Sequence, residues 1–444
     1  MINRRDMLKS SALGFGHLAM TAMLQASPMP HIPARAKRVI FLFMHGGPSH
    51  VDTFDYKPKL FEDDGKPLPF DKPRVQFAKT GNLGRPRFDF HPYGQCGHMI
   101  SDLFPKVGTH ADALCMVKSV HGTNAAHGGA LLKLHTGSDS LVRPSMGSWV
   151  SYGLGSENQN LPSFITMNPS GGHGGAANYA SAFLPAQHQG TRISGEAGAG
   201  IPNVTGPVSE ARQSHQLRLL RELNQSHAQR FPADPNLDAR IRSFELAYRM
   251  QTEAPEVMDL EGESAATRAL YGLDDPKTSE VGQRCLLARR LVERGVRFVQ
   301  VSHGYWDQHS QLEAKHRELA HACDQPIAGL LTDLKQRGLL DDTLVWWGGE
   351  FGRTPTIQGK DGRDHNPHAF TMWFAGGGVK AGFSYGQTDD YGFYTVDEKM
   401  HVHDLHATIL HLLGLDHEQL TYGYGGRDFR LTDVYGNVIE DILA

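Results

Sequence analysis

EVGQRCLLARRLVERG (280–295), VRFVQVS (296–302), ELAHACDQPIAGLLTDLKQRG (318–338) and TLVWWGG (343–349) follow one another with short connections, and their alternation decides the fold. The first and third segments repeat apolar residues at helical spacing, and Gly295 stands where a helix C-terminal cap is expected. The second and fourth are short, nearly continuous apolar runs, as expected of strands buried on both faces of a parallel sheet. Helix, strand, helix, strand is the sequence form of a crossover α/β unit. Working outward, RVIFLFM (38–44), SFITM (163–167) and AFTMWFAGGG (369–378) read as further strands, and HDLHATILHLLGL (403–415) as a late helix. Helical segments are also predicted around 99–107 and 127–135. Residues 168–200, rich in Gly, Ala and Ser and without a sustained period, read as loops over a site. Residues 208–272 are charged and amphipathic, and read as a helical insertion within a domain spanning 37–444.

At 444 residues the chain is long enough to bury a sizeable core. Its 44 Lys plus Arg against 48 Asp plus Glu give a formal charge of −4, which offers no electrostatic footprint for nucleic acid. The 25 histidines are many, and imidazole is a common metal ligand. Cys96, Cys115, Cys285 and Cys323 form no CxxC pair, so neither a thiolate zinc site nor a disulfide scaffold is signalled. Cys285 and Cys323 lie in helical apolar patterns and read as small buried hydrophobes.

The beginning of the chain reads as an address. NRRDMLKSS, with Arg4 and Arg5, followed by the weakly apolar ALGFGHLAMTAML, resembles a twin-arginine export signal over residues 1–36. It implies the twin-arginine export machinery as a partner and a periplasmic or cell-envelope location in a bacterium. No other segment is long and apolar enough to cross a membrane.

Polar residues cluster just after the apolar runs, and in open α/β folds ligands bind outside the carboxyl ends of the strands. Asp307 and His309 follow VRFVQVS; two apart, they face the same side if the backbone stays extended, and although spacing alone favours a hydrogen-bonded loop pair, their place behind a strand strengthens the ligand reading. Glu350 follows TLVWWGG, with Arg353 shortly after as a candidate clamp for phosphate or sulfate. GRDHNPH adds Arg363, Asp364 and His365, and MHGGPSHVDTFD adds His45, His50 and Asp52. His403, with His401 close by, precedes the late helix.

The segment from Gly295 to Thr354 resembles the second half of the alkaline phosphatase and sulfatase superfamily, with LLDDTLVWWGGEFG matching a "DDTLVIFTSDHG" pattern. The resemblance implies an alkaline-phosphatase-like three-layer α/β sandwich with a mainly parallel central sheet and a helical insertion. It places Asp307 and His309 where alkaline phosphatases hold one metal, His403 as the histidine completing that site, His45 at a metal-binding Asp with Asp52 as a substitute, and Glu350 at another metal-binding Asp. Phe351 then occupies a ligand position it cannot serve. TNAAHGGALLKLHTG (123–137) resembles the nucleophile helix, and counting back from Thr136-Gly137 puts His127 at the Ser or Cys position. With no CxPSR, a formylglycine sulfatase is disfavoured. Attack by His127, attack by Thr123 and attack by metal-activated water all remain open.

Nearly the whole chain, from the signal through GGPSHVDTFD, NAAHGGALLKLHTG, ARRLVERGVRFVQV and GGEFGRTP to GRDHNP, is similar to a bacterial family of twin-arginine-exported, sulfatase-like proteins of unassigned function. The expected activity is metal-dependent hydrolysis of phosphate or sulfate esters, on a small molecule or a sulfated or phosphorylated polymer. Asp307, His309 and His403 would form one metal site; His45, Glu350, Asp364 and His365 would form a second or line an anion pocket. Histidine-rich ligation favours zinc or manganese over calcium. The alternatives are a non-catalytic, metal- or ligand-binding envelope protein and, within the superfamily, a phosphomutase or phosphodiesterase.

Overall fold

Successive residues of a strand point to opposite faces, so RVIFLFM sends Val39, Phe41 and Phe43 into one apolar core and Ile40, Leu42 and Met44 into another. The structure is a computed structural model that describes residues 30–71, 79–194, 210–230 and 235–444. Among these, nine strands form one sheet: β1 (Arg38–Met44), β2 (Leu114–His121), β3 (Phe164–Met167), β4 (Thr191–Ile193), β5 (Phe298–His303), β6 (Thr343–Gly348), β7 (Phe370–Ala375), β8 (Phe383–Tyr385) and β9 (Met400–His401). Their spatial order is β8-β2-β7-β6-β1-β5-β3-β4, with β9 beside β2. Strand β7 runs antiparallel to β2 and β6, whereas β1, β5, β6 and β3 run parallel to their other partners.

The helices of nine or more residues among the described residues are α1 (His127–Thr136), α2 (Met146–Leu154), α3 (Glu210–Arg230), α4 (Pro235–Met258), α5 (Ser279–Glu293), α6 (Leu312–Gln336) and α7 (Val402–Leu412). Helices α5 and α6 and the end of α4 cover one face through Val257, Leu286, Leu287, Ile327 and Leu331. Helices α1, α2 and α7 cover the other through Leu131, Leu134, Trp149, Val150, Leu405 and Ile409. Phe41 stacks on Trp346 across adjacent strands in the second core. The result is the three-layer α/β sandwich with a mainly parallel sheet that the alternation of helix and strand predicts.

One local expectation changes. The helix expected around 99–107 is confined to the single turn Pro105–Gly108; before it, His98–Ser101 pairs with Phe90–Tyr93 as a hairpin. Pro105 has no N–H to donate, so it opens a helical turn rather than continuing one. The export segment expected over 1–36 lies outside the described residues up to residue 29.

Three histidines are locked inside the layers. His316 on α6 accepts the Ser49 N–H at 3.1 Å, His303 at the end of β5 bonds the Leu319 carbonyl at 3.2 Å, and His406 on α7 bonds the Leu134 carbonyl at 2.7 Å. Burial disfavours their charged forms and lowers their pKa values from 6.5 to about 3, 4 and 3 respectively. A depressed histidine pKa means the folded state refuses a proton that the unfolded chain takes up below 6.5. Stability is therefore full above about pH 6.5 and falls as the pH drops toward 4, by about 1.4 kcal/mol per unit for each such histidine. Urea titrations at pH 7.5, 6 and 5 check this: His316→Gln is expected to flatten the acid slope relative to the native chain, and an unchanged slope would refute the assignment of His316 as neutral.

Candidate metal centre at the strand ends

Parallel pairing in register sets the strand ends level: Met44 lies opposite His303, and Phe43 opposite Gly348. The chain leaving β1 supplies His45 and Gly46, the loop after β5 supplies Asp307 and His309, and the turn after β6 supplies Glu350. His127 is the first residue of α1, which the chain enters after β2. An antiparallel pair, Gly352–Arg353 with His365–Asn366, then folds His365 opposite Arg353.

These connections converge on the Asp307 carboxylate. Its Oδ1 lies 2.7 Å from an Arg353 nitrogen, 3.0 Å from His309 Nε2 and 3.1 Å from His365 Nε2. Its Oδ2 lies 3.2 Å from His127 Nε2. The other ring nitrogen of each histidine faces an oxygen: His127 Nδ1 reaches Glu350 Oε1 at 2.8 Å, His309 Nδ1 reaches Gln358 Oε1 at 2.5 Å, and His365 Nδ1 reaches the Ala125 carbonyl at 2.6 Å. A neutral ring that donates its Nδ1 proton to oxygen can offer Nε2 to a metal. Glu350, 3% exposed, is fixed in turn by the Gly46 N–H, which lies 3.0 and 3.1 Å from its two oxygens.

Charge follows from this crowding. Burial opposes the charge on Asp307, yet His127, His309, His365 and Arg353 together hold its carboxyl well below the ordinary range. Burial likewise opposes the charge on Glu350, and His127 and His45 outweigh it. Burial works against a protonated His127, but Asp307 and Glu350 raise its pKa to about 9. His309 is raised first by Asp307, and His365 is lowered by burial to about 4.

Donor chemistry tests whether a metal fits. His309 Nε2 and His365 Nε2 face each other at 3.0 Å and both face Asp307 Oδ1, a crowding that needs a proton or a cation between them. His127 Nε2, although near Asp307, lies off the hydrogen-bond direction and has no hydrogen-bond partner among the described atoms. The ligand atoms of His127, Asp307 and His365, and likewise those of His309, Asp364 and His365, lie within 4.8 Å of one another. A tetrahedral ion with bonds of about 2.0–2.1 Å sets neighbouring ligand atoms roughly 3.3 Å apart. The oxygen acceptors behind the three rings are the partners that orient metal-bound imidazoles. The residues fit a divalent ion.

Other expected site residues lie elsewhere. Asp52 is fully buried, with its oxygens taken by Ser49, by Arg363 at 2.7 Å and by the Arg87 N–H at 3.0 Å, so it has none left to give a metal. Arg363 spends its remaining donors on the carbonyls of Thr354, Gly84 and Arg85. Arg353, expected to grip an anion, is wholly buried and donates to the carbonyls of Gly46, Gly47, Trp306 and Arg363 as well as to Asp307. His403 Nε2 bonds the Gly137 carbonyl at 2.8 Å. Gly137 caps the far end of α1 from His127, about 14 Å of helix away, so His403 does not complete a site with Asp307. Thr123 is exposed in the loop before α1, outside the hydrogen-bonded cluster.

His45 is 5% exposed, its ring 6.1 Å from that of His127, and its Nε2 has no hydrogen-bond partner. It stands beside the donor groups rather than within them. Asp364 is buried next to them, accepting the His365 N–H at 2.8 Å and lying 4.0 Å from His309 Nδ1. Two neighbours carried no sequence signal of their own: Gln358, and His173 in the Gly-rich stretch, whose ring lies 4.9 Å from that of His127.

Residues 36–443 match the family described as Protein of unknown function (DUF1501). The chain belongs to this family. No curated protein matches the DUF1501 chain. Solved structures similar to it include the lipoteichoic acid synthase of Listeria monocytogenes, at 8% identity over 90% of this chain and 74% of the other, with a TM-score of 0.40. A protein in the alkaline phosphatase superfamily from Vibrio parahaemolyticus matches at 9% identity over 88% and 69%, with a TM-score of 0.38. The alkaline phosphatase of the Antarctic bacterium TAB5 matches at 9% over 86% and 99%, with a TM-score of 0.36. At these identities no residue role passes from them to this chain.

Gly46 ties the centre together, since its N–H holds Glu350 and its carbonyl holds Arg353. Its φ is +109°, and a Cβ there would lie 2.6 Å from the Trp306 nitrogen and 2.8 Å from that of Asp307. Gly46→Ala is expected to cost about 1–3 kcal/mol in denaturant unfolding and to weaken metal binding by displacing the 306–307 backbone. Native-like stability and metal content in this variant would contradict that constraint.

Proposed function

We propose that this chain is an exported, metal-dependent hydrolase of phosphate or sulfate esters. The observation that carries the reading is the convergence of three imidazole Nε2 atoms on one carboxylate, within 3.2 Å of its two oxygens. His127, His309, His365 and Asp307 would hold the ion, with Asp364 beside them. A donor set rich in imidazole suits zinc or manganese. The bound ion would polarise an ester oxygen and lower the pKa of water, which removes the need for a side-chain nucleophile.

The chain's own residues do the positioning. Glu350, Gln358 and the Ala125 carbonyl would hold the Nδ1 protons of the three rings while Nε2 is given to an ion. Arg353 fixes the rotation of Asp307 through Oδ1. His127, at the position where the superfamily resemblance implies a nucleophile, would serve as a ligand once an ion displaces its Nε2 proton, because that nitrogen lies with those of the other two rings. Asp307 keeps a third of its side chain exposed, which leaves the centre an opening to solvent.

A second reading is a metal-dependent binding protein without turnover. It is favoured by the fate of Arg353 and Arg363, both committed to internal partners and unable to grip an anion. Recognition of an anion then rests on the ion's own charge.

Metal analysis of natively purified protein, paired with turnover assays on aryl phosphate and aryl sulfate esters, tests both readings. Asp307→Ala and His309→Ala are each expected to lower metal affinity by about tenfold or more and to abolish turnover, whereas His403→Ala leaves metal content unchanged. Full metal content in folded Asp307→Ala would sink the metal assignment; metal without turnover of either ester would favour the binding reading.

Export is proposed on Arg4 and Arg5 in NRRDMLKSS. Replacing both with Lys is expected to shift the protein from the periplasmic to the cytoplasmic fraction, and an unchanged distribution would remove the twin-arginine assignment.

A further inference from the structure

Tyr305 is 72% exposed, the most exposed large hydrophobic side chain among the described residues, and it lies two positions before the central carboxylate. Its ring meets His45 edge to face at 5.5 Å, and His45 lies in turn 6.1 Å from His127 and 6.1 Å from His173. His45 is pinned from behind: its backbone pairs with His303 and Trp306, and Gly304 packs against its Nδ1 side. Its Nε2 is buried and unpartnered. His173, exposed in the Gly-rich loop, closes the opposite side, 4.9 Å from His127.

A buried polar atom without a partner is costly, and a large aromatic in water gains by being covered. Both features stand side by side next to the donor cluster, and one bound group satisfies both. We infer that Tyr305, His45 and His173 form a leaving-group subsite for an ester whose alcohol carries a ring with an apolar face, aryl or pyranose. The anionic head would sit at the metal centre. The ring would lie against Tyr305, and an oxygen of the alcohol would meet His45 Nε2. Small aliphatic esters would leave Tyr305 uncovered. This inference rests on the proposed anion-binding metal centre.

Binding of unreactive analogues to the full chain, with the metal it carries when purified, tests the inference without requiring turnover. Calorimetry would compare phenylphosphonate, a pyranosyl phosphonate and methylphosphonate, together with the matching sulfonates. The ring-bearing ligands are expected to bind about tenfold more tightly than the methyl ligand, with Tyr305→Ala erasing the preference and Tyr305→Phe retaining it. The aryl and pyranose arms separate the two kinds of ring. Equal affinity for ring-bearing and methyl ligands, or a preference that survives Tyr305→Ala, would overturn the subsite while leaving the metal centre in place. Failure of every ligand to bind would overturn the anion site and the subsite together.

Discussion

The guanidinium of Arg353 is the constraint on which the strand-end region depends. Its Nε donates to the Gly47 carbonyl at 2.9 Å, and its terminal nitrogens reach Arg363 and Trp306 carbonyls at 3.2 Å each and Asp307 at 2.7 Å, with Gly46 as a further partner. These acceptors belong to the loops that leave β1 and β5 and to the segment that carries His365. A planar fork with five donors can satisfy several carbonyls and a carboxylate at once, which a lysine ammonium cannot do in the same geometry. Burying that charge without its partners would be strongly unfavourable. The loops are thus held to one arrangement, and Asp307 is turned toward the histidines.

A second bracket lies behind the first. Arg363 joins Asp52 to the carbonyls of Gly84, Arg85 and Thr354, and its own carbonyl accepts from Arg353. The two arginines therefore brace the floor beneath the imidazoles. This division of labour explains why the region contains so many ionisable groups while only some face the opening. Asp52 is fully buried and Asp307 is one third exposed, although both follow strands and both pair with arginine.

Much of the sandwich was legible because its signal is local. Continuous apolar runs such as TLVWWGG and the helical spacing of EVGQRCLLARRLVERG each fix one element without reference to distant residues. The grouping of Asp307, His309 and Glu350 was legible for a related reason, since position at the end of a parallel strand already implies one edge of the sheet. Which carboxylate faces a cavity and which faces a buried arginine is a long-range matter, so Asp52 and Asp307 could not be told apart by sequence. The same limit applies to Arg353, whose partners lie as far away as 307 positions along the chain. His403 shows a different failure. It does precede the late helix and does pack against α1, but at the capped end by Gly137 rather than at His127. The 99–107 segment is helical only from Pro105, because the four alternating residues at 98–101 carry too little periodicity to separate a hairpin strand from a helix.

Under the proposed function, the donor set also bears on why no free arginine would be needed at the opening. Asp307 contributes one negative charge, and the Arg353 guanidinium already compensates it at 2.7 Å. Glu350 is turned toward the Gly46 N–H and His127 rather than into the cluster. Imidazoles that give Nε2 to an ion are neutral and would add no charge. A divalent ion held by this set keeps most of its own positive charge, unlike one neutralised by several carboxylates, and the local field then favours an anionic ligand. The commitment of both arginines to the floor and the scarcity of carboxylates at the centre are two sides of one electrostatic arrangement: with an ion bound, charge recognition would pass from side chains to the ion, and the surrounding rings would be left to select the remainder of the ligand by shape.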